Sequence, residues 1–186
     1  MELKLYMLVI GCKPAGRFTE QHDVFFGIGN SLNDLVPQIN NSWKDGGQIH
    51  IDSWREVTRV DEFTIKIVAK DINNHNNSAG LFFLNLGGYK PGDLEEYHYK
   101  ILTVAKDKAE AISRSKQTAF YLHTGFKGAE SHIDDKYGID IDDIYAIEEI
   151  LPLEIKNRYS ILVEKTIGGL KEDELHPGYV KLNSLK

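Results

Sequence analysis

Leu5-Tyr6-Met7-Leu8-Val9-Ile10-Gly11 returns as Leu81-Phe82-Phe83-Leu84-Asn85-Leu86-Gly87, and this return decides how the rest of the chain is read. Both stretches are apolar at nearly every position, the pattern of a strand buried on both faces. Working outward, Lys13-Pro14 recurs as Lys90-Pro91, and Glu20-Gln21-His22 as Glu96-Tyr97-His98. Further on, Gly46 and His50-Ile51-Asp52 align with Gly128 and His132-Ile133-Asp134, and Val60-Asp61 aligns with Ile141-Asp142. Colinear matches at nearly constant offset mark a duplication, so residues 1–72 and 81–151 are read as two copies of one unit. Residues 73–80, polar, Asn-rich and without period, are the linker.

Within each copy the buried strand is followed by an alternating stretch. His22, Val24, Phe26 and Ile28 share one face, mirrored by His98, Lys100, Leu102 and Val104. A helix comes next in both: Ser31 with Asp34, and Asp107 with Glu110, stand at capping-box spacing. Leu32, Leu35, Val36, Ile39 and Trp43 keep one helical face, while Pro37 lies beyond the tolerated first turn and predicts a kink or early break. Strands around 49–57 and 63–68 close the first copy, with counterparts near 131–134 and 144–151.

This order predicts an α+β fold of two tandem ββαββ repeats, each burying a helix against a four-stranded sheet. The element order is β-grasp-like, with a ferredoxin-like variant as the alternative. Copies of about 70 residues have thin cores, so the two are expected to pack as a pseudo-twofold pair. Residues 152–186 form an extension, with strand-like Tyr159 to Thr166 and Gly178-Tyr179-Val180, expected to cover a sheet edge.

Composition narrows the function classes. The chain has 186 residues, 22 basic against 28 acidic side chains, a formal charge of −6 and 41% hydrophobic residues, which is globular rather than disordered. Its basic residues are scattered and offer no footprint for a phosphate backbone, so nucleic acid is not an expected partner. The longest apolar run, Leu5 to Ile10, is far short of the roughly 20 residues of a membrane helix, and the first residues enter a strand pattern without a basic leader. Cys12, the one cysteine, permits no internal disulfide and fits a reducing compartment. No membrane association and a cytoplasmic location are therefore expected.

The segments Gly11-Cys12-Lys13-Pro14, Thr19-Glu20-Gln21-His22-Asp23 and Ser131-His132-Ile133-Asp134-Asp135-Lys136-Tyr137-Gly138 together resemble a bacterial family known as domain of unknown function 1543. The resemblance covers both copies, residues 3–151, and implies one or two such units per chain. It implies no reaction, cofactor or ligand, so chemistry is read from side chains.

The leading candidates are Glu20, His22, His50 and Asp52, with Glu96, His98, His132 and Asp134 in the second copy. Alternate side chains of a strand share a face, so Glu20 joins His22 and His50 joins Asp52, each pair about 6.6 Å apart along the chain. If those strands approach, imidazoles and carboxylates converge into a nitrogen–oxygen set for a divalent metal, with His22, His50 and Asp52 as ligands. The same set also suits a general base oriented by a carboxylate, or hydrogen bonds that tie a loop to a strand. Lys13 and Lys90, each in a Gly-x-Lys-Pro turn, are anion-binding candidates set against a stiff turn with a solvated lysine. A thiol mechanism at Cys12 is not duplicated, since Gly88 stands at that place in the second copy.

Two further motifs fail their own tests. Gly27-Ile28-Gly29-Asn30-Ser31 resembles a dinucleotide loop, but Leu32 stands where a third small residue is needed. The acidic run Asp134, Asp135, Asp140, Asp142 and Asp143 would put Ile133 at the first position of a calcium loop, so it is read as a solvated strand connection. With no complete catalytic set, the chain is expected to be a non-catalytic module that binds an unidentified small ligand or protein partner near the junction of the copies. Homo-oligomerisation is left open. The alternatives are a divalent-metal-dependent hydrolase or lyase with Glu20 as base, and a structural or assembly protein.

Overall fold

A computed structural model describes residues 2–70, 79–89, 92, 94–117, 139–166, 171 and 173–185. In chain order the strands are β1 (Lys4–Cys12), β2 (Gln21–Gly29), β3 (His50–Val57), β4 (Arg59–Val60), β5 (Phe63–Ala69), β6 (Gly80–Tyr89), β7 (Glu96–Ala105), β8 (Ile139–Ala146), β9 (Tyr159–Lys165) and β10 (His176–Lys181). The helices are α1 (Val36–Ser42), α2 (Lys108–Ser115), α3 (Ile147–Ile150) and α4 (Leu153–Arg158). The fold is mixed α+β, with three small antiparallel sheets ordered β10-β3-β1-β2, β4-β5-β9 and β7-β6-β8. It divides into two compact units, residues 1–75 with 150–186, and residues 76–149. Among the described residues no helix is long and apolar enough to cross a membrane.

The first unit is organised around β1, which carries no charged side chain from Leu5 onward because both of its faces are covered. Tyr6, Leu8, Ile10 and Cys12 join Phe25, Leu35, Ile39, Ile49, Ile51 and Leu182 in the core, while Leu5 and Met7 are buried on the opposite face. The helical stripe is delivered in two pieces: a 3-10 turn over Leu32–Leu35, then α1, with Pro37 in its first turn where a missing N–H costs nothing. Ser31 makes no side-chain cap; Asp34 Oδ2 instead accepts from the Asn30 N–H at 2.8 Å. In the second unit Asp107 Oδ1 caps α2 by accepting from the Glu110 N–H at 2.8 Å, and Glu110 accepts from the Lys106 N–H at 2.9 Å.

The sheets differ from a four-stranded sheet per repeat. The outer edge of β3 is taken by β10, from the far end of the chain, and β5 pairs instead with β4 and β9. One strand edge carries one row of backbone donors and acceptors, so β10 and β5 cannot both use it. The β4–β5 hairpin reverses at Asp61, whose φ of 54° is left-handed. Asp173 anchors the returning chain by accepting from the Thr58 N–H at 2.7 Å and the Arg59 N–H at 2.8 Å.

In the second unit β6 lies between β7 and β8. Register here departs from the alignment by letter. Gly11 faces His50 across β1 and β3, and Gly87 faces Asp140 across β6 and β8. Asp140-Ile141-Asp142, rather than His132-Ile133-Asp134, therefore stands where His50-Ile51-Asp52 stands, and Ile141-Asp142 is not the partner of Val60-Asp61. The strand expected at 144–151 stops at Ala146, because Glu149 accepts from the Ala146 N–H at 3.2 Å and starts α3.

Candidate metal centre

Strand geometry places three of the four leading side chains. His22 on β2 and His50 on β3 are the two cross-strand neighbours of Gly11 on β1. Ile10 pairs with Ile51 and Val9 with Ser53, which leaves Asp52 as the extra residue of a β-bulge. A bulge redirects the chain locally, and here it holds Asp52 beside the two imidazoles. Glu20, one residue before β2, supplies the fourth group.

The contacts are close and cyclic. His50 Nε2 lies 3.0 Å from Glu20 Oε1 and 3.2 Å from Asp52 Oδ1. His22 Nε2 lies 3.4 Å from Asp52 Oδ2 and 3.6 Å from Glu20 Oε2. Gly11 is the floor: a Cβ there would stand 2.6 Å from His50 Nε2, 2.8 Å from Asp52 Oδ2 and 3.1 Å from His22 Cδ2. Only a residue without a side chain lets these groups meet over the central strand.

Burial separates this cluster from an ordinary surface ion-pair network. His50 is only 5% exposed and its ring packs against Tyr179 of β10, centroids 4.3 Å apart. Despite two carboxylate oxygens within 3.2 Å, His50 Nε2 makes no hydrogen bond, and neither does the buried Asp52 Oδ2. A buried polar atom without a partner carries a cost of about 1–3 kcal/mol. Glu20 and His22 are about half exposed, at 45% and 49% of their side chains, so the centre is open to solvent on one side.

Below the centre, burial and secondarily the Glu20 carboxylate push the Cys12 thiol above its ordinary range, which keeps it protonated and core-like. Lys13 is exposed in the loop after β1 and makes no ion pair with the cluster. A cleft of about 460 Å³ beside α1 and β10 is lined by Val36, Asn40, Gln48, Tyr179 and Lys181 among others, and by none of the four donors.

The second unit builds a related cluster from Glu96, His98 and Asp142, with one ligand atom of each within 4.8 Å of the others. His98 Nε2 stands 3.3 Å from Asp142 Oδ2. Lys90, His132 and Asp134 lie outside the described residues. Asp142 is the site residue that sequence reading missed; its Asp-Ile-Asp spacing matches that of His50-Ile51-Asp52, but only pairing with β6 puts it at the corresponding register. Gly11 and Gly87, read as the ends of the two buried strand segments, are the floors of the two clusters.

These features define a small α+β module that gathers imidazole and carboxylate groups above a glycine of its central strand. Over residues 17–67, which include Glu20, His22, His50 and Asp52, the chain matches the family model described as Domain of Unknown Function (DUF1543). No curated protein matches it. Among solved structures it is similar to protein Il1583 from Idiomarina loihiensis, with a TM-score of 0.64 and 20% identity, covering 97% of this chain and 98% of that chain. At that identity the likeness is one of fold.

Proposed function

We propose that this protein is a non-catalytic binding module whose ligand is a divalent transition-metal ion, held in the first unit by Glu20, His22, His50 and Asp52. The observation that carries the reading is His50 Nε2: buried, between two carboxylate oxygens at 3.0 and 3.2 Å, and hydrogen-bonded to neither. A salt-bridge network would align N–H with oxygen, whereas a coordination shell aims lone pairs at a common centre. With metal–ligand bonds of about 2.1 Å, the edge of a tetrahedron is about 3.4 Å. His50 Nε2 lies 3.0 and 3.2 Å from one oxygen of each carboxylate and His22 Nε2 lies 3.4 and 3.6 Å from the other oxygen of each, so both imidazoles stand near that length from both carboxylates.

Two neutral imidazoles and two carboxylates suit zinc and its neighbours in the first transition row. A hydrolytic centre keeps one position for water, and four protein donors fill a tetrahedron, which supports binding rather than turnover. The repeat reading belongs to the same proposal: Gly11 and Gly87 occupy matching places between their flanking strands, and a bulge follows at the same position in each. The single cysteine supports a reducing, cytoplasmic setting.

The test is elemental analysis of full-length protein purified without chelator, followed by calorimetry on stripped protein. Close to one tightly held equivalent of zinc, iron, nickel or manganese, lost in His50→Gln, is the expected result. Fewer than about 0.2 equivalents, together with no binding heat for any of these ions, overturns it.

A further inference from the structure

We infer that the second unit carries its own cation site, unlike the first: Glu96, His98 and Asp142 take a harder divalent ion, of the manganese class, that keeps part of its water shell. His98 faces Gly87 across β6 and β7, and Glu96 lies two residues along the same strand face. Leu86 pairs with Ile141 and Asn85 with Asp143, so Asp142 is again the bulge residue. A Cβ on Gly87 would stand 2.6 Å from Asp142 Oδ2 and 2.7 Å from Glu96 Oε1, so both carboxylates close in over a place that only glycine leaves open.

Two carboxylates drawn together repel unless a positive charge lies between them. The contact of His98 with Asp142, as an exposed ion pair, is worth about 0–1 kcal/mol. A divalent cation accounts for all three groups at once.

The donor set fixes the class of ion. The first centre offers two imidazoles, His22 and His50, and the second offers one, His98. One imidazole with carboxylates is a harder set than two imidazoles with carboxylates, and it shifts preference away from zinc toward manganese. Three exposed donors leave positions of an octahedral ion to water.

The proposal borrows from the first-unit reading only the location in the sheet, and the experiment separates the two. Full-length protein, stripped and given one equivalent of zinc, is titrated with manganese(II) while water proton relaxation is followed. One bound manganese with enhanced relaxation is expected, its affinity falling at least tenfold in Asp142→Asn and in Glu96→Gln. Far-UV spectra and thermal melts matching the parent show that those variants are folded, and zinc retention shows that the first unit is untouched. His50→Gln should lose the zinc yet hold manganese within about twofold of the parent. Absence of manganese binding while zinc is retained overturns this proposal alone, as does manganese binding that survives Asp142→Asn but is lost in His50→Gln. If zinc is not retained, the first-unit reading fails, and the Asp142→Asn comparison on far-UV-matched protein still decides this one.

Discussion

Replacing Gly11 by alanine adds one methyl group at the floor of the first centre, and the structure sets the size of the effect. The new Cβ would lie 2.6 Å from His50 Nε2, so the imidazole must retreat about 0.8 Å to regain an ordinary contact of 3.4 Å. Asp52 Oδ2, at 2.8 Å, must retreat about 0.6 Å. Metal–ligand distances tolerate about 0.2 Å, so both donors leave the coordination shell. His50 has little room, being buried with its ring against Tyr179. Misplacement on this scale costs roughly 100-fold, about 2.7 kcal/mol of binding.

Calorimetry with zinc under chelator competition reads that loss directly, and thermal melting reads it a second way. At free zinc 100 times the parent Kd, the parent gains about 2.7 kcal/mol of stability, and Gly11→Ala, with Kd raised 100-fold, gains about 0.4 kcal/mol. Overpacking should also lower the metal-free stability by about 1–2 kcal/mol. Gly80→Ala is the control, since its Cβ meets nothing closer than Phe82 at 3.4 Å and should leave zinc binding unchanged. A Gly11→Ala protein that binds zinc within about threefold of the parent would refute the convergence of donors over Gly11.

Two further outcomes follow from the same geometry. The Cys12 thiol, pushed up chiefly by burial, stays neutral in the folded chain while the unfolded thiol ionises near pH 8.5, so its contribution is complete below that pH and declines as pH rises toward the folded value. Urea melts between about pH 8 and 10 should show stability falling by as much as about 1.4 kcal/mol per pH unit, with a shallower slope in Cys12→Ala; parallel slopes would contradict the assignment. Asp107→Ala should cost about 1 kcal/mol in thermal melts by removing the cap on Glu110, whereas Ser31→Ala, which removes no cap bond, should stay within about 0.5 kcal/mol.

The legible parts of this protein are those written in local pattern. The doubly buried Leu5–Ile10 strand, the alternation of β2, the Asp107 cap and the Glu-x-His pair entering β2 and β7 follow from periods of two and from capping chemistry. Pro37, expected beyond the first turn, sits instead in the first turn of α1, because a 3-10 turn takes up the residues before it. A His-Ile-Asp triplet upstream, outside the described residues, matched His50-Ile51-Asp52 by letter, while pairing with β6 selected Asp140-Ile141-Asp142. Letters do not reveal which segment reaches a strand edge.

From the sequence alone came the kinds of residue available for a site and the strands that carry them. Tertiary structure decided that a bulge brings Asp52 and Asp142 over Gly11 and Gly87, that β10 closes the edge of β3 and lays Tyr179 on His50, and that β5 pairs elsewhere. The reason is physical: side-chain period is local and readable, but a bulge and an edge partner are settled by hydrogen-bond pairing between segments up to about 130 residues apart, where competition for one row of backbone groups has no local signature.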